Sequence, residues 1–520
     1  MLVLAAIVPA ALMAQNHDPR EAAIRKLLQS TMMINQLYVD TVNLDRQVED
    51  AIRGMLAKLD PHSAYTNAAE TKKLNEPLQG NFDGIGVQFN MLEDTLLVIQ
   101  TVAKGPSERV GIVAGDRIVS VNDTAIAGVK MSRDEIMKRL RGPRGTVAHL
   151  GVVRRGIEGV LTFDVTRDRI PIHSLDAAYM IRPGVGLIRF SNFAATTHDE
   201  VTAAIRSLLD KGMHSLILDL QGNGGGYLGA AAELASEFLQ KGDLVVYTRG
   251  RDGVQTSEYR SEGSGLFRKG RLVVLVDEYS ASASEILAGS IQDQDRGTIV
   301  GRRTFGKGLV QRPLELEDGS MIRLTIARYY TPSGRCIQKP YSKGDAVSYA
   351  HDVVERYNRG ELSSADSIHF PDSLRYTTLR QQRTVYGGGG IMPDRFVPLD
   401  TTRFTRLHRE LNARSYIINA NLRYMDEHRD ELHSLYPDFA AFERGFGVPR
   451  DVIDKMLADA EAKDKIRPRD DEELAKTIPT LSLILKGLVA RDLWDMSEYF
   501  QVIYEQDPVV QEAVRIITNP

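Results

Sequence analysis

Three short stretches carry side chains whose types and spacing suit nucleophilic chemistry: Ser280-Ala281-Ser282-Ala283-Ser284-Glu285, Phe305-Gly306-Lys307-Gly308, and Gln311. Counted from Ser282, they set a hydroxyl, an amine and an amide at intervals of 25 and 4 residues, with no histidine between them. A serine hydroxyl is a poor nucleophile until a neighbouring base takes its proton, and a desolvated lysine can replace histidine in that task. A lysine with its ordinary pKa of about 10.4 is neutral in only about one molecule in 2,500 at pH 7. Base chemistry therefore asks burial to bring Lys307 down to about 7 to 8, and its glycine neighbours with Phe305, Leu309 and Val310 are compatible with burial. The competing structural readings are a surface lysine in a glycine turn and three serines that only cap a helix. Gln311 either orients the amine through its carbonyl oxygen or is simply a polar strand residue.

Two strand-to-helix turns must position these groups. Ser215 to Leu220 reads as a buried strand running into Gln221-Gly222-Asn223-Gly224-Gly225-Gly226 and then a helix, Tyr227 to Leu239. This glycine turn matches neither the dinucleotide fingerprint nor the lysine-ended phosphate loop. It does allow a backbone N–H to face a reacting carbonyl, as an oxyanion hole requires. A second buried strand, Leu272 to Val276, runs through Asp277-Glu278-Tyr279 into the serine repeat and a helix from about Ser284. Backbone amides at that helix start favour developing negative charge.

The remainder of the chain supports an ordinary globular protein of several domains. At 520 residues it exceeds a single core, and its 42% hydrophobic and 26% charged content is typical of soluble folds. A net charge of -4 without like-charge blocks gives no sign of nucleic-acid binding. The single cysteine, Cys336, excludes an internal disulfide framework, and the eleven scattered histidines show no HExxH pair, so no metal and no cofactor are expected. Residues 1–14 form an uncharged apolar segment too short to span a bilayer but suited to an export signal, without the usual positive start. Residues 15–74 read as helical, closing at Leu59-Asp60-Pro61-His62-Ser63. Residues 75–169 read as short strands with one helix, Ser132 to Arg141, opened by a Ser132/Glu135 capping box. Residues 170–400 alternate strand and helix, with an inserted segment at about 341–385, and residues 401–520 are helical.

The 75–169 stretch resembles a PDZ domain, through Phe82-Asp83-Gly84-Ile85-Gly86, Ala114-Gly115-Asp116-Arg117-Ile118 and Gly142-Pro143-Arg144-Gly145-Thr146. That resemblance implies that Gly84, Ile85 and Gly86 hold a peptide's C-terminal carboxylate while the following strand edge receives its tail. The serine repeat through Ile286, Gly306-Lys307-Gly308 and Gln311 are similar to the motifs of the carboxy-terminal processing proteases, serine peptidases of family S41. The likeness extends through Leu59–Ser63, the PDZ-like module, Asp219–Gly226, Tyr329–Arg335 and Gly389–Asp394, about residues 20 to 400 in family order. It implies a multidomain α/β protein with a ClpP/crotonase-like protease core. Ser282 would then be the nucleophile, Lys307 the general base and Gln311 its orienting partner, with oxyanion donors at the Gly225 and Ala283 amides. It further implies an exported bacterial endopeptidase, periplasmic or in the cell envelope, acting through an acyl-enzyme on proteins or peptides with apolar C-terminal tails. An adaptor or a second copy of the chain stays open as a partner. Departures fall at Gln221 and Gly224, where the family usually carries arginine and proline. Two other readings remain: a crotonase-like acyl-CoA enzyme, which leaves the Ser282 and Lys307 pairing unexplained, and a catalytically silent scaffold that binds protein tails.

Overall fold

Strands buried on both faces read as continuous apolar runs, and the central sheet shows why this chain has them. The computed structural model describes residues 19–254 and 256–519, so the signal-like segment at 1–14 lies outside the described residues. Six strands run in the order Leu175–Arg182, Val185–Phe190, Ser215–Asp219, Arg271–Val276, Thr298–Gly301 and Arg395–Phe396. The first pair is antiparallel and the others are parallel. Alternate side chains enter opposite cores. Ile188, Phe190, Leu216, Leu218, Val274 and Val276 meet the helices Thr197–Asp210, Leu228–Ser236 and Ala283–Asp293. Leu187, Ile217, Val273, Leu275 and Val300 meet Val509, Val510, Ala513 and Ile517 of the helix Pro508–Thr518. The helical region expected over 401–520 therefore divides between two tasks. Helices between Arg406 and Leu493 build cores of their own, while the last helix covers the second face of the central sheet.

Strand and helix alternation did not foresee a second, five-stranded sheet. It runs Ala64–Thr66, Met321–Tyr330, Leu244–Gly250, Ser257–Arg260, with Leu309–Glu315 also paired to Met321–Tyr330. Its short edge strand comes from the end of the N-terminal helical region, where Asp60-Pro61 stops the helix Leu44–Leu56 from continuing. Such pairing joins segments far apart in sequence, so local periodicity carries no sign of it.

The strands Val87–Leu92, Thr95–Thr101, Arg117–Val121, Val147–Val153 and Leu161–Thr166 form a separate sheet around Leu96, Val98, Ile118, Ile136 and Leu150. The helix Arg133–Leu140 is capped as expected, Ser132 Oγ accepting the Glu135 N–H at 3.2 Å. Gly86 takes φ +74° and separates the strands Asn81–Gly84 and Val87–Leu92. Chain entry and exit are zipped together by the antiparallel pair Asn81–Gly84 and Asp168–Pro171. The module leans on the C-terminal helices through Arg117–Asp426 (2.7 Å) and Arg423–Glu93 (3.1 Å). Among the described residues, no helix is long and apolar enough to cross a membrane.

Candidate active site

The strand Arg271–Val276 turns sharply through Asp277 to Ala281 into the helix Ala283–Asp293, and Ser282 sits at the corner with φ 57°, ψ -113°. A left-handed conformation is costly for a residue with a Cβ, about 1–3 kcal/mol, and persists only when its surroundings enforce it. Here they do. Ser280 Oγ donates to the Leu220 carbonyl (2.8 Å), and the Asn223 carbonyl accepts from the Ala281 N–H (3.0 Å) and Ser284 Oγ (2.8 Å). Ser280 and Ser284 are fully buried in this scaffold, whereas Ser282 is half-exposed. The helix-cap explanation therefore fits neither of its neighbours, which stitch the two strand-to-helix turns together.

Lys307 reaches the same place from the next strand. After Thr298–Gly301 the chain crosses to Leu309–Glu315 through a loop pressed against residues 337–339 and 389–391. Gly306 has φ +89°, and a Cβ on it would meet Lys339 Cβ at 3.0 Å and Gly390 N at 3.1 Å. A Cβ on Gly308 would lie 2.8 Å from Gln338 N. The two glycines thus let the loop close down around the lysine. Burial, with the Arg323 charge adding to it, lowers the Lys307 amine from 10.5 to about 8.

One carboxylate binds both corners. Glu285 Oε2 accepts the Ser282 N–H at 2.8 Å and the Lys307 N–H at 2.8 Å, so the two nitrogens lie no further apart than the sum of those distances. From the other side, the buried Tyr329 hydroxyl faces both the Ser282 carbonyl (3.1 Å) and the Lys307 carbonyl, with one proton to share. The structure thereby brings the backbones of residues 282 and 307 together. Among the described residues the Lys307 amine makes no hydrogen bond or ion pair, and no bond joins it to Ser282 Oγ or to Gln311.

Gln311 follows a β-bulge between Val310 and Gln311 that re-aims its side chain. Its Nε2 donates to the Leu309 carbonyl (3.0 Å) and Thr325 Oγ1 (3.4 Å), and Thr325 Oγ1 donates to Asp60 Oδ1 (2.9 Å). Asp60 also accepts from the N–H groups of His62 and Ser63 (2.9 and 3.0 Å) and from Ser63 Oγ (2.6 Å). His62 is held neutral, its pKa lowered to about 4 by burial and then by the Lys307 charge. Its Nε2 lies 3.0 Å from the Tyr349 hydroxyl. Tyr349 belongs to the helix Ala346–Asn358, whose buried Arg356 donates to the Arg303 and Thr304 carbonyls (2.6 and 3.1 Å). This helix thus clamps the loop that carries Lys307.

The two amides expected as oxyanion donors differ in their partners. The Ala283 N–H, at the first turn of its helix, has no partner among the described residues. Gly225 lies against the same corner, at φ +99°, where a Cβ would meet Ala281 O at 2.7 Å and Ser282 Cβ at 2.8 Å. Its N–H, however, already donates to Asn223 Oδ1 at 2.9 Å. The Asx turn made by Asn223 engages that amide, and only its release would free it. In the PDZ-like module, the Ile85 and Gly86 amides have no partner among the described residues, and the strand that follows them has an open edge. Gly84, in contrast, is paired with Asp168. Between that edge and the helix Arg133–Leu140 lies an apolar groove lined by Phe82, Ile85, Val87, Phe89, Met137 and Leu140. Among the described residues, no group of three or more His, Cys, Asp or Glu is placed to hold a metal ion.

Sequence reasoning gave no role to Glu285, Tyr329, Thr325 or Arg323. For Glu285 a signal existed, since Ser282-x-x-Glu285 has the capping-box spacing. The others sit on a strand whose facing neighbours only the fold supplies.

A strained serine at a strand-to-helix corner and a half-buried lysine, their backbone amides joined by one carboxylate on an α/β core with a PDZ-like module, fit a serine-type peptidase. Residues 184–347 match the peptidase family S41, residues 84–162 the PDZ domain, residues 8–71 the N-terminal domain of the activating protease CtpB, and residues 407–495 a family of unknown function. The carboxy-terminal-processing protease of Bartonella bacilliformis is 35% identical over 367 residues, 70% of this chain and 81% of the relative. CtpB of Bacillus subtilis is 32% identical over 70% of this chain and 74% of its own length. The carboxyl-terminal-processing protease of Synechocystis is 36% identical over 68% of this chain and 86% of its own. A solved structure, the photosystem II D1 C-terminal processing protease, matches at 29% identity over 60% of this chain and 89% of that one, with a TM-score of 0.34. The chain belongs to peptidase family S41, the carboxy-terminal processing proteases.

Proposed function

We propose that this chain is an endopeptidase with a Ser282–Lys307 dyad that cleaves exported proteins or peptides near their C-termini. Neutral Lys307 takes the Ser282 proton as Oγ attacks the scissile carbonyl, and the resulting ammonium protonates the leaving amine. Water then hydrolyses the ester, with Lys307 again the base. Gln311, its Nε2 held by the scaffold, presents Oε1 to the amine. The Ala283 N–H and the Gly225 N–H, once turned from Asn223 towards substrate, stabilise the oxyanion. The PDZ module holds an apolar tail, its carboxylate on the Ile85 and Gly86 amides, and the enzyme works outside the bacterial cytoplasm.

The observation that carries this reading is the single Glu285 oxygen shared by the amides of Ser282 and Lys307, which supports a nucleophile and a desolvated amine in one place. The test is incubation of the full chain with an unfolded substrate bearing an apolar C-terminus. Ser282→Ala and Lys307→Ala are each expected to abolish cleavage. Cleavage by Ser282→Ala at the wild-type rate refutes the dyad and favours another nucleophile. Tail binding without cleavage by the wild type favours the silent scaffold.

A further inference from the structure

Glu285 is more extensively engaged than a helix cap requires. It is fully buried, and it takes four donors: the N–H groups of Ser282 and Lys307 on Oε2, and the Gly306 N–H (2.7 Å) and Thr304 Oγ1 (2.5 Å) on Oε1. Among the described residues no cation pairs with it. A buried charge without a counter-ion is unfavourable unless hydrogen bonds replace its water. An ionised carboxylate has about four acceptor sites and no donor, so four converging donors fit the anion. Three of the four are backbone N–H groups, which can only donate, so a protonated acid or an amide could turn its hydrogen only towards the Thr304 hydroxyl. These four bonds join the first turn of the nucleophile helix to three consecutive positions of the lysine loop and to Thr304, whose Oγ1 also accepts the Ile391 N–H (2.6 Å).

We infer that Glu285 is a positioning residue for the peptidase reaction, its ionised carboxylate holding Ser282 and Lys307 in register for proton transfer. The inference rests on the Ser282–Lys307 reading. Burial pushes the Glu285 carboxyl up to about 7, against the pull of its four donors. With Lys307 also lowered by burial, the two groups titrate as a coupled pair. The Glu285 anion in turn favours the ammonium form of Lys307.

The experiment is the pH dependence of kcat and kcat/KM on a fluorogenic peptide, for the full-length wild type, Glu285→Gln, Glu285→Asp and Ser282→Ala. In the wild type, log kcat/KM is expected to fall with a slope approaching 2 at low pH. Glu285→Gln should lower plateau kcat by roughly 100-fold through misplacement of the reacting groups, with little change in KM. Its acid limb should drop to a slope of 1 and move to lower pH. Glu285→Asp keeps the charge but not the reach, and should keep the steep limb at reduced kcat. If both variants retain the wild-type limb and lose only kcat, Glu285 is a structural cap and the inference falls. Where Glu285→Gln fails to fold, Glu285→Asp decides: wild-type kcat in that variant overturns the inference. Persistent turnover by Ser282→Ala would instead remove the dyad reading, a separate outcome.

Discussion

With the proposed Ser282–Lys307 dyad, the pH at which activity appears follows from the desolvation of one amine. At an ordinary value of 10.5, about one Lys307 in 3,000 is neutral at pH 7; at about 8, about one in ten is. Burial thus raises the competent fraction roughly 300-fold, equivalent to about 3 kcal/mol in the step that needs a free base. Activity should rise with pH through about 8 and level off above it, the slope on the acid side set by Lys307 and, below neutrality, by Glu285 as well. The perturbation is Lys307→Arg, which keeps the positive charge and a long side chain. A guanidinium lowered by the same amount stays protonated in at least about 99 of 100 molecules at pH 8, where half of the lysines are free. Protonation alone then accounts for at least about a 50-fold loss. The assay is initial-rate kcat/KM on a peptide substrate from pH 5.5 to 10 at fixed ionic strength. A limb centred near 10 would mean that the amine sits in water. Lys307→Arg retaining more than a tenth of wild-type activity at pH 8 would remove the lysine from the role of base.

Three further outcomes follow from the same geometry. Arg323→Gln removes a charge that lowers the Lys307 amine, so the acid limb should move to higher pH while the plateau is kept, read from the same profiles. Gly225→Ala puts a Cβ at φ +99° within 2.8 Å of Ser282 Cβ. It should lose at least about 1–3 kcal/mol of stability in denaturant melts and nearly all turnover. Met137→Glu sets an anion in the PDZ groove against the incoming carboxylate. It should raise KM for a tailed protein substrate at least about tenfold and leave turnover of a short tail-less peptide unchanged, as steady-state kinetics on both substrates would show.

How the C-terminal helices bear on the site is a matter of packing. Tyr504 places its hydroxyl between the buried Asp219 and Arg189, and Arg189 also donates to the Gln221 carbonyl at 2.9 Å. The glycine turn beside Ser282 is therefore braced from behind by a residue nearly three hundred positions away.

By itself the sequence determined the motifs and the local elements: Ser282 at a strand-to-helix corner, Lys307 between two glycines, the strands read at Val185–Phe190, Ser215–Leu220 and Leu272–Val276, which the structure places within one residue of those bounds, and the capped helix after Ser132. All of these depend on hydrophobic periodicity, glycine and capping chemistry, which act over a few residues and can be read along a chain. Only the tertiary structure decided what surrounds the amine. The same Gly-Lys-Gly would be a surface turn if the helix with Tyr349 and Arg356, the Asp60–Ser63 turn and the Gly389–Ile391 segment did not close over its loop. Desolvation depends on how many atoms from distant segments exclude water. It was likewise the fold that turned Glu285 from the third residue of a helix into a bridge between Ser282 and Lys307, and that engaged the Gly225 amide with Asn223.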